Sequence, residues 1–378
     1  MKRRDFLHRS TLGAAGLVAA GCASVTQTEF PNAAPIEHRV LGRTGLKVSA
    51  ISFGAKQVDH PSLLMAGFDA GINYLDTARI YREGRNEQVI GEFLKTYRDK
   101  VYIATKAHPS CMTARDVEEC LHASLKALQT DYVDVYQVHR VHEIAQLKNE
   151  DIRSFLLKAR DQGKIRFMGI TMHRYSAEIL SAAAEDAFFD TALVAYGYNN
   201  RDDGPLVEAI EKAHRAGMGV MAMKTQQGGY KMKEGEPGTP HQALLRWALS
   251  NPNITCAIPG MNTFEMIEEN TAVMGTTLSA ADLRDLQRYE ERTASVFCRM
   301  CGMCRGTCRN GLVVSETFRC LMYAEGYNDL RMARAEYQDL DLSERADLCR
   351  LCSECTAKCV KGLRVQERML VADRLLSA

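Results

Sequence analysis

The stretch GINYLDTARIY, residues 71–81, sets a helix stop, a strand and two reactive side chains in one short run. Gly71 is the residue type expected where a helix ends. Ile72–Thr77 has the length and apolar content of a buried strand. Asp76 stands at that strand's carboxyl end, with Tyr81 five residues later. The same pattern recurs along the chain, with candidate strands at Val48–Phe53, Val101–Lys106, Val133–His139, Phe167–Thr171, Ala192–Tyr198, Val220–Lys224 and Thr255–Pro259. Between them apolar residues fall at helical spacing, as in Val117, Leu121, Leu125 and Leu128, or Ile152, Phe155, Leu156 and Ala159. Gly163 and Gly217 mark further helix ends. Eight strand–helix units in series predict an α/β chain closed into a (β/α)8 TIM barrel. A doubly wound open sheet would want a glycine-rich fingerprint after the first strand, and SFGAKQV at 52–58 supplies none. The preceding HRVLGRTGLKVSAI, residues 38–51, reads as a hairpin turning at Gly42-Arg43-Thr44-Gly45, placed to plug one barrel end.

Barrel chemistry gathers where the strands end. Asp76, Tyr81, Lys106 and His139 all fall at such ends. A lone Tyr or Lys there is ordinarily a solvated rim residue; three successive strands carrying this set point to proton handling. The expectation is that Asp76 holds Lys106 charged, that the Lys106 ammonium lowers the Tyr81 pKa from its usual value near 10, and that His139 hydrogen-bonds a substrate carbonyl.

The motifs GINYLDTARIY, VYIATK (101–106), VYQVHR (135–140), GKIRFMGIT (163–171), GVMAMK (219–224) and AIPGMNTFEMIEEN (257–270) resemble the successive signatures of the aldo/keto reductase family, over roughly residues 38 to 275. The resemblance implies a barrel that interconverts a carbonyl and an alcohol with a nicotinamide cofactor, with the tetrad Asp76, Tyr81 (proton donor), Lys106 and His139. It also implies cofactor contacts at Lys224, Pro259, Gly260, Glu269 and Asn270. Other contacts depart from the family. Thr171-Met172 stands where Ser-Asn usually holds the nicotinamide amide, Ala195 replaces a Gln, and Met266 replaces the arginine that favours NADP. Thioether and methyl groups cannot supply those hydrogen bonds. Retained NAD(P) binding is the expectation; a proton relay fed with electrons by another route is the alternative.

The carboxyl-terminal segment is of another kind. Cys298, Cys301, Cys304 and Cys308 follow C-x2-C-x2-C-x3-C, and Cys349, Cys352, Cys355 and Cys359 repeat it at an offset of 51 residues. The offset also aligns Gly311 with Gly362, Leu312 with Leu363, Val314 with Val365 and Glu316 with Glu367, an internal duplication. The spacing is that of bacterial ferredoxins, where the fourth cysteine of each run ligates the other cluster. Arg309 and Val360 replace the proline that usually follows. Structural zinc favours two pairs across a longer loop, and disulfides within C-x-x-C steps would close small strained rings. Two [4Fe–4S] clusters are therefore expected. The helical pattern between the runs, with Phe318, Leu321 and Met322 apolar, resembles the α-helical ferredoxin module. Cys320, Cys111, Cys120 and Cys256 are expected to be inert core residues.

At the other end, Lys2-Arg3-Arg4-Asp5-Phe6-Leu7 and the short apolar run Thr11 to Gly21 resemble a twin-arginine export signal. Ala19-Ala20-Gly21-Cys22 fits a loose lipoprotein box, with Cys22 the lipidated residue and the membrane reached only through it; a disordered basic tail is the plainer reading. Net charge of +1 gives no broad basic surface for nucleic acid. The expected domains are 1–29 (signal and linker start), 36–292 (barrel) and 293–378 (two-cluster module). The expected protein is exported through the Tat machinery, periplasmic or lipid-anchored. It acts on a small carbonyl or alcohol and passes electrons through its clusters to a partner protein. A non-catalytic electron carrier and an ordinary cytoplasmic NAD(P)-dependent reductase are the alternatives. Arg299, Arg305, Arg309, Arg350, Lys358, Lys361 and Arg364 flank the cysteines, set to offset cluster charge or to attract an acidic partner.

Overall fold

The computed structural model describes residues 37–226 and 239–377. Arg3, Arg4 and Cys22, and most of the loop 226–242, lie outside the described residues. Two short strands, β1 (His38–Val40) and β2 (Lys47–Ser49), pair antiparallel. Eight parallel strands follow: β3 (Phe53–Gly54), β4 (Tyr74–Asp76), β5 (Tyr102–Lys106), β6 (Val133–Val138), β7 (Ile165–Met172), β8 (Thr191–Ala195), β9 (Gly219–Met223) and β10 (Cys256–Ala257). They pair in sequence order, and bridges Ile51–Ala257 and Gly54–Gly260 join the first edge to the last. The sheet is thus a barrel. Gly54 permits that closure, since a Cβ there would meet the Pro259 carbonyl oxygen at 2.7 Å.

Helices α1 (Pro61–Asp69), α2 (Arg85–Tyr97), α3 (Ala114–Leu128), α4 (Glu150–Asp161), α5 (Ser176–Asp186), α6 (Gly204–Arg215), α7 (His241–Ser250) and α8 (Phe264–Thr271) each follow a barrel strand. α3 starts at a capping box formed by Thr113 and Asp116 and buries Val117, Leu121 and Leu128. α4, capped by Asn149, buries Ile152, Phe155, Leu156 and Ala159, the four residues its spacing singled out. Inside the barrel Leu41, Leu46 and Val48 of the hairpin pack with Tyr74, Ala104, Val135, Leu193 and Met221. Arg43 fastens the hairpin by donating to the carbonyls of Ala187 and Ala216. The hairpin is a plug at the end where strands begin.

Two strands depart from expectation by more than two residues at a boundary. Val48–Phe53 is not one strand: its start belongs to the hairpin, Ile51 bridges to β10, and pairing with β4 begins only at Phe53. Ala192–Tyr198 stops at Ala195, because the backbone turns into one helical turn at Tyr198–Asn200.

After α9 (Ala280–Thr293) come the first cysteine run and α10 (Val314–Glu325), α11 (Leu330–Gln338), the second run and α12 (Val365–Leu376). The duplication survives in space. Leu312, Val314, Leu363 and Val365 share one apolar cluster, and Gly311 and Gly362 both adopt positive φ. α10 is buried from Val314 to Tyr323. The described residues from 37 onward belong to one compact unit, so the cysteine module is packed on the barrel.

Candidate active site

Strand ends deliver the tetrad to one place. Lys106 Nζ, on the last residue of β5, donates to Asp76 Oδ2 at 2.5 Å and to the Thr77 carbonyl at 2.6 Å. Gln137 Nε2 donates to the other Asp76 oxygen at 2.9 Å. Tyr81 lies in the turn after β4, its ring centre 5.2 Å from Lys106 Nζ and 6.4 Å from the His139 ring, which stands edge-on to it. His139 is buried, and its Nδ1 has no hydrogen-bond partner among the described residues. Burial, then Arg140 and Lys106, holds His139 well below its usual pKa, so the ring is neutral.

One electrostatic expectation is corrected. Tyr81 is not lowered: burial first, then the Asp76 charge, raises its pKa well above 10. The Lys106 ammonium is hydrogen-bonded to Asp76 and to the Thr77 carbonyl.

The module adds side chains that the sequence reading missed. Tyr323 of α10 enters the barrel mouth, where Lys224 Nζ donates to its hydroxyl at 3.0 Å. Lys56 Nζ lies 4.4 Å from the Tyr323 ring centre and 5.4 Å from that of Tyr81, so one ammonium serves both phenols. Burial opposes the Tyr323 phenolate, but Lys224, Lys56 and Arg319 outweigh it and bring the pKa to about 7. Glu336 of α11 accepts from Lys56 and Arg319 at 2.7 and 2.8 Å, and from Arg140 as well. Arg174 pairs with Glu344, Lys361 with Asp202 and Arg305 with Glu178, further stitching module to barrel. A sequence hint existed: Glu316 and Arg319, three residues apart, sit in the part of α10 that is buried.

The cofactor candidates are spread along the same rim. Pro259 and Gly260 follow β10; the Pro259 carbonyl accepts from Gly54 N, and Gly260 is exposed. On α8 the Glu269 carbonyl accepts from Gln242 and Asn270 Oδ1 from Gln226. Lys224 is engaged by Tyr323. Ala195 and Met223 lie under Met300, Leu321 and Tyr323 of the module, and Met172 points into the outer helix–strand core.

The cysteines gather in crossed sets. Cys298, Cys301 and Cys304 line one cleft together with Cys359 of the other run. Cys349 has Cys308, Cys352 and Cys355 as its charged neighbours. Burial and this crowding push Cys304 up to about 11 and Cys349 up to about 12, so either set ionises together only beside a compensating cation. Among the described residues no three His, Cys, Asp or Glu side chains converge as they would on a single metal ion. The first set surrounds a cleft rather than a point. Cys320 and Cys256 are buried, as expected. Cys111 and Cys120 are not: both are half-buried, with their sulfurs in contact.

Residues 55–242 match the model described as the Aldo/keto reductase family. These residues form an aldo/keto reductase family domain. The chain is similar to L-galactose dehydrogenase of Arabidopsis thaliana, 27% identical, with 63% of this chain and 88% of that protein covered. It is similar to methylglyoxal reductase YeaE of Escherichia coli K12, 29% identical, with 60% and 82% covered. Among solved structures, an aldo/keto reductase from Klebsiella pneumoniae in complex with NADP and acetate is 25% identical, covers 66% of this chain and 94% of its own, and superposes with a TM-score of 0.56. The chain is an aldo/keto-reductase-type oxidoreductase, and its α/β barrel is of the aldo/keto reductase type.

Proposed function

We propose that this oxidoreductase interconverts a small carbonyl compound and its alcohol at the Tyr81 site, carries two [4Fe–4S] clusters on its cysteine module, and is exported by the twin-arginine route. The observation that carries the cluster reading is the crossed gathering of Cys298, Cys301 and Cys304 with Cys359, and of Cys349, Cys352 and Cys355 with Cys308. Eight thiols in two crossed sets fit two four-iron clusters, which would supply one-electron transfer when bound.

The chain's own residues handle the protons. Neutral His139 hydrogen-bonds the carbonyl oxygen and orients it toward Tyr81. Tyr81, kept protonated by burial and Asp76, gives its hydroxyl proton to that oxygen as negative charge builds there. Lys106, fixed by Asp76 and Thr77, faces the Tyr81 ring and steadies the phenolate that results. Tyr323, shared with Tyr81 through Lys56 and titrating near neutrality, restores the proton.

Anaerobic purification with iron and sulfide analysis and electron paramagnetic resonance tests this. About eight irons and eight sulfides per chain are expected; a colourless or zinc-only protein rejects the clusters. Export rests on Arg3-Arg4, and changing both to lysine should retain the protein on the cytoplasmic side.

The cytoplasmic NAD(P)-dependent reductase is a second reading, favoured by the NADP-bound Klebsiella pneumoniae structure. Pro259, Gly260, Glu269 and Asn270 are the residues for the cofactor. The amide contacts at Met172 and Ala195 are missing, and Lys224 serves Tyr323. Calorimetric titration with NADPH and NADH decides: heat at a one-to-one ratio supports this reading, and none with either removes it.

A further inference from the structure

Cys111 and Cys120 are two half-buried barrel thiols that neither the tetrad nor the cysteine module uses. Cys111 sits in the turn after β5, where its amide donates to the His108 carbonyl at 2.9 Å. Cys120 lies on α3, whose start is fixed by the Thr113–Asp116 capping box. The loop between them is short and held at both ends, and the two sulfurs stand 2.7 Å apart. That is closer than non-bonded heavy atoms ordinarily rest. Both residues are half-buried, so a small reagent can reach them.

We propose that Cys111 and Cys120 close into a disulfide when the protein meets a disulfide oxidant such as oxidised glutathione, stapling the loop that follows Lys106 onto α3. The Cys120 thiolate attacks one sulfur of the oxidant, whose other half leaves as a thiol. The Cys111 sulfur then displaces the remaining half from Cys120. One S–S bond forms in the protein as one breaks in the oxidant. The two thiol protons end on the two released thiols, and the electron pair passes from protein to oxidant.

The neighbourhood suits this order of attack. A hydrogen bond from the Cys111 thiol lowers Cys120 to about 6, with Arg79 helping, and the same bond raises Cys111. The consequence falls on the active site. Lys106 ends β5, Arg79 N donates to its carbonyl at 3.3 Å, and Ala107 N donates to the Gln137 carbonyl at 3.1 Å, so the stapled loop continues directly from the tetrad. Compartment then matters: an exported chain would hold this bond closed, and a chain kept among reduced thiols would hold it open.

The test reads the bond itself and is independent of the iron–sulfur reading. Folded full-length protein is incubated anaerobically with excess oxidised glutathione, alkylated with iodoacetamide and digested with trypsin. Cleavage after Lys106, Arg115 and Lys126 puts Cys111 and Cys120 on separate peptides, residues 107–115 and 116–126. The expected product is those two peptides joined, with the loss of two hydrogens, and parted by reductant. The proposal is overturned if both peptides emerge alkylated, if either carries glutathione in place of the crosslink, or if either is joined to a peptide from the module. Cys111→Ser and Cys120→Ser should each abolish the joined species; a peptide of that mass in either variant would show it to be something else.

Discussion

At the scale of single residues the two phenols are driven to opposite protonation behaviour by their environments. Tyr81 is buried beside the Asp76 charge and stays protonated through the neutral range, whereas Tyr323 faces Lys224, Lys56 and Arg319, with Glu336 opposing, and titrates near 7. Tyr81→Phe should therefore lower the carbonyl reduction rate by about 10²- to 10⁴-fold at every pH, with the protein still folded and its metal content unchanged. Tyr323→Phe should act differently: the wild-type rate carries a limb near pH 7 that the variant lacks. Stability gives an independent reading. A folded-state pKa of about 7 against an ordinary 10 means that the phenolate contributes nothing below pH 7, gains between 7 and 10, and is complete above 10. The ceiling is about 4 kcal/mol. Denaturation midpoints of wild type and Tyr323→Phe should diverge as pH rises through that window; a constant gap would mean that Tyr323 never ionises there.

At the scale of elements, α10 and α11 set Tyr323 and Glu336 against Lys224, Lys56 and Arg140 of the barrel. Glu336 is the fixed point, since Lys56, Arg140 and Arg319 all pair with it, and Arg319 is wholly buried. Glu336→Gln would leave three cations facing a neutral amide, and breaking such a buried network costs about 3–5 kcal/mol. Urea midpoints should fall accordingly, while a change below about 1 kcal/mol would mark the cluster as water-screened. This is also where the sequence stops being legible. Asp76, Lys106 and His139 could be read because each is fixed by its place at the end of its own strand, a local property. Tyr323 and Glu336 acquire their roles from Lys56 and Lys224, which lie far away along the chain, and α10 alone reads as a helix with an apolar run and three charges, Glu316, Arg319 and Glu325. The first barrel strand was misjudged for a related reason. Val48–Phe53 is unbroken by Gly or Pro in sequence, and only pairing with β1 on one side and β10 on the other divides it.

At the scale of the whole molecule, the offset of 51 residues has become two interlocked half-modules. Thr307 Oγ1 accepts from Lys358 N and Thr356 Oγ1 from Arg309 N, so each cysteine run braces the other beside its last cysteine. The duplication was plain in the sequence because spacing alone reveals it; the docking onto the barrel was not, since it rests on scattered ion pairs such as Lys361–Asp202. Interlocking makes a prediction that local ligation does not. If the sets are crossed, Cys359→Ser damages the same cluster as Cys301→Ser, and Cys308→Ser the same cluster as Cys352→Ser. Each variant should lose about half its iron under anaerobic isolation. The paramagnetic spectra should then fall into two pairs: Cys359 with Cys301, and Cys308 with Cys352. Local ligation would instead pair Cys308 with Cys301 and Cys359 with Cys352, because each run would then fill its own cluster. The two outcomes differ in which spectra coincide, so the comparison holds even if every variant loses some iron in handling, and coincidence of Cys308→Ser with Cys301→Ser would refute the crossed arrangement.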